Sequence, residues 1–246
     1  MIDLRLGDSA EVLKNLPEDS IDLTVTSPPY DNLRTYNGYV FNFETIAKEL
    51  YRVTKPGGVV VWVVGDATIK GSETGTSFRQ ALYFKEIGFN LHDTMIYAKK
   101  NPTPYHHNRY NPCFEYMFIL AKGKPKTFSP IMIPTQNKKP GTFRYPDGSM
   151  KNANTPEPRS MKMMDNIFYF SVGTDREAIE HPAKFPEQLA HDHIISWSNE
   201  GDTVLDPFLG SGTTGKMAKQ LNRNFIGIEI SQEYLDIAQK RIYNQD

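Results

Sequence analysis

Short apolar runs alternate with amphipathic stretches along most of the chain. Residues 59–64 are a continuous apolar run, which is typical of a strand buried on both faces, and residues 21–25 are rich in β-branched side chains, which indicates a short buried strand. Between them, residues 43–53 carry apolar side chains at every third or fourth position, until Pro56-Gly57-Gly58 interrupts the pattern. This alternation of strands and helices predicts an α/β domain with a mostly parallel sheet.

The same two periodicities predict further elements on either side of this region. The further strands are predicted at residues 2–6, 94–98, 116–121, 167–170, 203–205 and 225–228. The further helices are predicted at residues 10–16, 77–87, 186–197, 216–221 and 233–242.

Length and composition narrow the class of protein. The 246 residues suit one large α/β domain with a modest insertion. Cys113 is the single cysteine, which excludes an intramolecular disulfide framework and is compatible with a reducing compartment. The chain shows no signal-peptide pattern and no apolar run near the roughly 20 residues of a membrane span. We therefore expect a cytoplasmic protein with no membrane partner.

Residues 122–165 differ from the rest of the chain. They hold nine lysine or arginine residues and three acidic ones, although the whole chain has a formal net charge of −1. Seven prolines and several aromatic residues are interleaved with these charges. Basic and aromatic residues together suit a polyanion with exposed bases, whereas a solvated linker is the alternative. We divide the chain into residues 1–121, a basic insertion at 122–165, and 166–246.

Ser27-Pro28-Pro29-Tyr30 follows the strand predicted at residues 21–25. Neither proline has an N–H to donate, so the strand must end here in a stiff corner. Open α/β sheets bind ligands at the carboxyl ends of their strands. A hydroxyl, fixed carbonyls and an aromatic ring at such a corner indicate a pocket for a planar base that carries an amine. The alternative is a proline-terminated strand with a stacking tyrosine.

A glycine-rich segment at residues 209–215 lies between a predicted strand and a predicted helix. Such a turn lets a ligand approach the backbone, and Glu229, 23 positions after Asp206, suits the two hydroxyls of a ribose. The segment also matches a dinucleotide loop, and it matches a phosphate-binding loop except that Met217 replaces a Ser or Thr. The loop alone is ambiguous, but the carboxylate of Asp206-Pro207-Phe208 favours a cationic ligand with an amino group.

Together these segments resemble the amino-methylating DNA methyltransferases that use S-adenosylmethionine. Ser27 to Tyr30 match the catalytic tetrapeptide of that family, Asp206 to Thr214 its cofactor loop, and Phe225 to Glu229 its acidic strand end. The tetrapeptide precedes the cofactor loop, as in the circularly permuted β class. The resemblance covers nearly all of the chain outside residues 122–165. It implies a Rossmann-like class I fold, a mostly parallel seven-stranded sheet with helices on both faces.

The resemblance also assigns residues to the cofactor S-adenosyl-L-methionine. The turn after the first strand would contact the adenine, and the segment before the residue 186–197 helix would hold the methionine part. The implied cofactor residues are Asp8, Lys184, Asp206, Pro207, Phe208, Gly210, Ser211, Gly212, Thr213 and Glu229. No metal is expected in this chemistry.

The resemblance makes Ser27, Pro28, Pro29 and Tyr30 catalytic. Ser27 Oγ and the Pro28 carbonyl would accept hydrogen bonds from an exocyclic amine, while Tyr30 stacks on its ring. Serine at position 27 favours N4 of cytosine, and N6 of adenine is the alternative. Cytosine-C5 methylation would need a thiolate, but Cys113 lacks the surrounding motif, and we expect it to be a buried structural thiol.

Double-stranded DNA is the expected partner, with a flipped-out target base. Structured RNA, or a binding module without turnover, is the alternative. A cognate restriction endonuclease and a homodimer are further expectations for this family. The residues expected to contact DNA are basic or imidazole side chains, namely Arg34, His106, His107, Arg109, Lys138, Lys139 and Arg144.

Overall fold

A computed structural model describes residues 1–29, 41–102, 104, 108–135, 142–152, 160–171 and 186–243. The chain divides into two compact units. The larger comprises Met1–Ser129 and Asn166–Asp246, and the smaller comprises Pro130–Asp165.

Strands and helices alternate along the larger unit. The strands of the described residues are β1 (Ile2–Leu6), β2 (Ile21–Thr26), β3 (Thr54–Val64), β4 (Thr68–Ile69), β5 (Ser72–Glu73), β6 (Asn90–Lys99), β7 (Phe114–Ala121), β8 (Met132–Pro134), β9 (Thr142–Arg144), β10 (Met150–Asn152), β11 (Met161–Met163), β12 (Ile167–Phe170), β13 (Thr203–Asp206) and β14 (Asn224–Glu229). The α-helices are α1 (Ser9–Val12), α2 (Phe43–Val53), α3 (Thr76–Glu86), α4 (Glu187–Trp197), α5 (Thr213–Gln220) and α6 (Gln232–Tyr243).

Eight strands form the central sheet, in the order β1-β14-β13-β2-β3-β7-β6-β12. All neighbours are parallel except β7, which runs antiparallel to both β3 and β6. The predicted fold class is confirmed. The sheet has one strand more than the seven expected, because β12 pairs with the outer edge of β6 and extends the parallel arrangement.

Helices pack in two groups, α1 with α2 and α3, and α4 with α5 and α6. Val60, Trp62 and Val64 of β3 join the core cluster that contains the apolar residues of the first group. Because side chains alternate across a strand, Val59, Val61 and Val63 point to the opposite face, and they are equally buried. The strand is therefore covered on both faces, as its continuous apolar run predicts.

Strand β3 begins earlier than the sequence predicts. Pro56-Gly57-Gly58 was expected only to end the preceding helix, yet these residues lie within the strand. The register with β2 shifts here, since Ile21 faces Thr54 whereas Leu23 faces Val59. A φ of +82° at Gly57 lets the backbone make this detour, and its N–H donates to the carbonyl of Lys122 at 2.7 Å.

The smaller unit contains two short antiparallel ribbons. Strand β8 pairs with β11, and β9 pairs with β10. The unit begins at Pro130 rather than at residue 122. The difference arises because Lys122 and Lys126 donate backbone hydrogen bonds to Gly58 and Gly57 at 3.1 and 2.9 Å, which attaches this segment to the larger unit.

Candidate active site

The order of the central sheet places a crevice between β2 and β13. From β2 the chain continues to β3 on one side, whereas from β13 it continues to β14 on the other. These two parallel neighbours are therefore the point where the strand order reverses, which is where open α/β sheets bind ligands. The Ser27 corner follows β2 and the glycine loop follows β13, so the sheet brings the two predicted motifs to the same edge.

A buried hydrogen bond joins the ends of these strands. Thr26 Oγ1 donates to Asp206 Oδ1 at 2.7 Å, and the Phe208 N–H donates to the same oxygen at 3.0 Å. Burial raises the pKa of Asp206 to about 6, the nearby Glu229 charge adds to the rise, and these hydrogen bonds oppose it. A buried carboxylate without a cationic partner among these contacts suits a ligand that carries a positive charge.

The corner after β2 is partly enclosed. Pro28 is buried, and Ser27 and Pro29 are half-buried. On the β13 side, the Phe208 ring lies 6.2 Å from Trp62 and 5.6 Å from Phe41, measured between ring centroids. The aromatic packing fixes the start of the glycine loop.

The glycine loop requires glycine at position 212. Its φ is +82°, and a Cβ atom there would lie 2.9 Å from the Cβ of Ala238 in α6. Helix α5 starts directly afterwards at Thr213, three residues earlier than predicted, because Gly212 is its N-cap. Lys216, which a phosphate-binding loop would direct at a phosphate, pairs instead with Glu187 at 3.0 Å.

Glu229 ends β14 beside this loop and is 8 % exposed. Its Oε2 accepts from the Gly210 N–H at 2.8 Å, and its Oε1 accepts from the Ser231 N–H at 3.0 Å. Burial raises the pKa of Glu229, although the backbone hydrogen bonds oppose the rise. Each carboxylate oxygen keeps a lone pair, so this rigidly held group fits the two hydroxyls of a ribose.

The turn after β1 contacts both halves of this site. The Gly7 N–H donates to the Glu229 carbonyl at 2.8 Å, and Ser9 Oγ donates to the Pro207 carbonyl. Asp8 lies between them and accepts from the Ala10 N–H at 2.8 Å as the N-cap of α1. The turn, the loop and Glu229 thus come together as a nucleoside cofactor would require.

Of the residues predicted to contact DNA, the structure describes Arg109 and Arg144. Arg109 donates to the Gly71 carbonyl and lies 3.7 Å from the Glu73 carboxylate, so it attaches to the β4–β5 turn. Arg144 lies on β9, opposite Met150 of β10, and is exposed. The predicted site residues that lie outside the described residues are Tyr30, Arg34, His106, His107, Lys138, Lys139 and Lys184.

Four residues of the site are not among the predicted site residues, although Thr214 lies at the end of the segment that matches the cofactor loop. Thr26 and Ser9 are hydroxyl residues directly beside predicted motifs, which is a signal that could have found them. Thr214 Oγ1 donates to the Val25 carbonyl at 3.2 Å and ties α5 to β2. Arg241 hydrogen-bonds to the glycine loop from the far end of the sequence, and no local pattern indicates this contact.

Cys113 is free and exposed, so the expectation of a buried thiol was wrong. The chain was not expected to bind a metal, and the described residues contain no cluster of metal-binding side chains. Within the described part of the chain, no helix is both long enough and apolar enough to span a membrane.

Comparison with known proteins agrees with this geometry. The chain is 56 % identical over 244 residues to the orphan methyltransferase M.BamHII of Bacillus amyloliquefaciens, covering 94 % of this chain and 92 % of that one. The structure of the M1.HpyAVI–SAM complex superposes with a TM-score of 0.70 at 27 % identity, covering 99 % of this chain and all of the other. The cytosine-N4-specific PvuII DNA methyltransferase shares the fold, with a TM-score of 0.76 at 23 % identity, over all of this chain and 87 % of the other.

A family model described as DNA methylase, covering the N6 and N4 methyltransferases, matches residues 21–240. Enzymes of this family take their methyl group from S-adenosyl-L-methionine, as the resemblance implied. The chain therefore belongs to the N6/N4 DNA methylase family of S-adenosyl-L-methionine-dependent methyltransferases.

Proposed function

We propose that this protein methylates the exocyclic N4 amine of cytosine in double-stranded DNA. The observation that carries the proposal is the hydrogen bond between Thr26 and Asp206, 2.7 Å long, at the point where the strand order reverses. It joins the corner that would hold the base to the loop that would hold the methyl donor.

The cofactor would lie along the loop after β13. Glu229 would accept from the ribose hydroxyls, and Asp206 would face the positively charged methionine end. Asp8 and the turn around it would border the adenine, while the backbone from Gly210 to Thr213 would form the floor. The bound cofactor supplies a methyl group on a sulfonium, which makes that methyl strongly electrophilic.

Ser27 and Pro28 would activate the amine by orientation. The lone pair of an exocyclic amine is delocalised into its ring, which makes the nitrogen a weak nucleophile. If Ser27 Oγ and the Pro28 carbonyl each accept one amine hydrogen, the lone pair points out of the ring plane toward the methyl group. Tyr30 would stack on the ring. This chemistry uses positioning and electrostatics, and it needs neither a metal nor a covalent intermediate.

The target base must leave the helical stack to reach this corner, which costs a few kcal/mol. The smaller unit, Pro130–Asp165, would hold the DNA while this happens, with Arg144 on its β9–β10 ribbon as an exposed contact. Arg34, His106, His107, Arg109, Lys138 and Lys139 would contact phosphates. A two-stranded ribbon fits the major groove of B-DNA.

Serine at position 27 supports cytosine over adenine. In the methyltransferase family that the chain resembles, a serine before Pro-Pro-Tyr accompanies N4 methylation of cytosine, whereas an aspartate accompanies N6 methylation of adenine. A homodimer also belongs to the proposal, whereas a cognate endonuclease is the alternative to a methyltransferase that works alone. The 56 % identical relative is named an orphan methyltransferase, so the chain would work without an endonuclease if it follows that relative.

The test is to incubate the protein with S-adenosyl-L-methionine and either duplex DNA or structured RNA, then identify methylated nucleosides by mass spectrometry. We expect N4-methylcytosine in DNA only, and no product from the Ser27→Ala variant. N6-methyladenine would overturn the choice of base and leave the reaction class intact. Methylation of RNA alone would overturn the substrate, and cofactor binding without any product would indicate a binding module.

A further inference from the structure

A partly buried cluster of charged residues joins three helices beside the glycine loop. Arg241 lies in the last turns of α6, Glu187 is the first residue of α4, and Lys216 lies in α5. The Arg241 side chain is 8 % exposed and that of Lys216 is 15 % exposed. Charged side chains are rarely so buried unless they are paired, so this cluster requires an explanation.

The guanidinium of Arg241 binds the loop itself. Its Nη1 donates to the Ser211 carbonyl at 2.7 Å, to Ser211 Oγ at 2.8 Å and to Thr213 Oγ1 at 3.3 Å. Both hydroxyl oxygens belong to residues predicted to contact the cofactor, and both accept from Arg241 in this arrangement. The arginine thus holds the loop by the residues that flank Gly212.

Glu187 holds the arginine in place. Its Oε1 accepts from Arg241 Nη2 at 2.7 Å and from Lys216 Nζ at 3.0 Å. One carboxylate oxygen therefore fixes two cations that come from different helices. A planar guanidinium can satisfy the loop and Glu187 at once because its donors point in fixed directions, whereas an ammonium cannot.

The loop needs this support because its conformation is costly. Gly210 and Gly212 have φ angles of +51° and +82°, and glycine loses more conformational entropy on ordering than any other residue. Glu229 fixes one side of the loop through the Gly210 N–H. Arg241 fixes the other side through the Ser211 carbonyl, so the loop is held between two opposite charges.

We propose that Arg241, held by Glu187, is a positioning residue that preorganises the glycine loop for S-adenosyl-L-methionine. Arg241 contacts the loop and not the reacting atoms. Its removal lets the loop relax, so that part of the binding free energy goes into reordering it. The inference rests on the proposed assignment of this loop to the cofactor.

The test compares Arg241→Gln and Arg241→Lys with Lys240→Gln, an exposed neighbour in the same helix. The dissociation constant for S-adenosyl-L-methionine is measured by calorimetry, and kcat and the KM for DNA are measured at saturating cofactor. We expect Arg241→Gln to weaken cofactor binding at least tenfold, with kcat and the KM for DNA within twofold. Arg241→Lys should recover part of the affinity, and Lys240→Gln should match the wild type.

A purely structural role predicts a different result. Arg241→Gln would then lower the melting temperature but leave the cofactor dissociation constant within twofold of the wild type, which would overturn the inference. If Arg241→Gln does not fold, Arg241→Lys carries the same comparison. The Glu229→Gln variant distinguishes a failure of the cofactor-site assignment from a failure of the role proposed for Arg241. If that variant also binds the cofactor normally, the loop is not the cofactor site. If it binds weakly while the Arg241 variants bind normally, only the role of Arg241 fails.

Discussion

Replacing Asp206 by asparagine tests the electrostatics of the crevice most directly. Asp206 is 2 % exposed, and its Oδ1 accepts from both Thr26 and Phe208. An asparagine keeps one oxygen for these two donors and removes the buried charge. The hydroxyl of Thr214, which also hydrogen-bonds to Asp206, can accept from the new amide. The substitution therefore changes charge with little change in shape.

The expected stability change follows from the pKa of Asp206. Burial raises this pKa from 3.8 to about 6, so the folded protein binds the proton more tightly than the unfolded chain does. The contribution of Asp206 to stability therefore falls as pH rises through this interval and is constant above it. At about 1.4 kcal/mol per pKa unit, the charged carboxylate costs roughly 3 kcal/mol at pH 8. About half of that cost is already present at pH 5, and almost none below about pH 3.

We expect Asp206→Asn to stabilise the cofactor-free protein by up to roughly 3 kcal/mol at pH 8 and by about half as much at pH 5. Urea denaturation at the two pH values measures this difference. The same variant should bind S-adenosyl-L-methionine about tenfold to a hundredfold more weakly, because a charge-assisted hydrogen bond is lost. In the wild type, cofactor affinity should decline as pH falls through about 6.

Asp202→Asn, at the opposite end of β13, is the matched control and should change cofactor affinity less than twofold. Two results would refute the reasoning. Destabilisation by Asp206→Asn of equal size at pH 5 and pH 8 would mean that the carboxylate is not strained by its burial. Unchanged cofactor affinity would mean that Asp206 does not face the cationic end of the ligand.

Three further predictions concern the base, the loop and the DNA. Ser27→Ala should lower kcat by about a hundredfold and leave the cofactor dissociation constant unchanged, because it removes one acceptor for the amine. Single-turnover methylation measures the rate of the chemical step, and an unchanged rate would contradict the catalytic role of Ser27. Gly212→Ala should destabilise the protein by roughly 3 kcal/mol in urea denaturation, combining left-handed strain with overpacking. Gly201→Ala, with a φ of +81° and no heavy atom within 4 Å of its Cβ, should cost only about 1–2 kcal/mol, and equal losses would refute the steric account. Arg144→Ala should weaken binding to duplex DNA by about 1–3 kcal/mol in fluorescence anisotropy, and unaltered affinity would exclude the β9–β10 ribbon from the interface.

Local periodicity predicted most elements of the fold. The helix predicted at residues 43–53 has those bounds in the structure, because its apolar stripe is regular and both ends are marked. The helix predicted at residues 10–16 is instead a four-residue α-helix followed by a 3-10 turn at Leu13–Asn15. The early start of β3 at Thr54 was also missed. It depends on hydrogen bonds with Lys122, which lies more than sixty residues away.

The sequence alone determined the family motifs, because Ser27-Pro28-Pro29-Tyr30 and the Asp206–Thr214 loop are contiguous and chemically specific. It could not determine how the motifs meet. The hydrogen bond between Thr26 and Asp206 spans 180 positions, and the contacts of Arg241 with Ser211 and Glu187 span 30 and 54. Only the order of strands in the sheet and the packing of α4, α5 and α6 bring these groups together. Such contacts depend on the burial of whole elements, which local residue patterns do not encode.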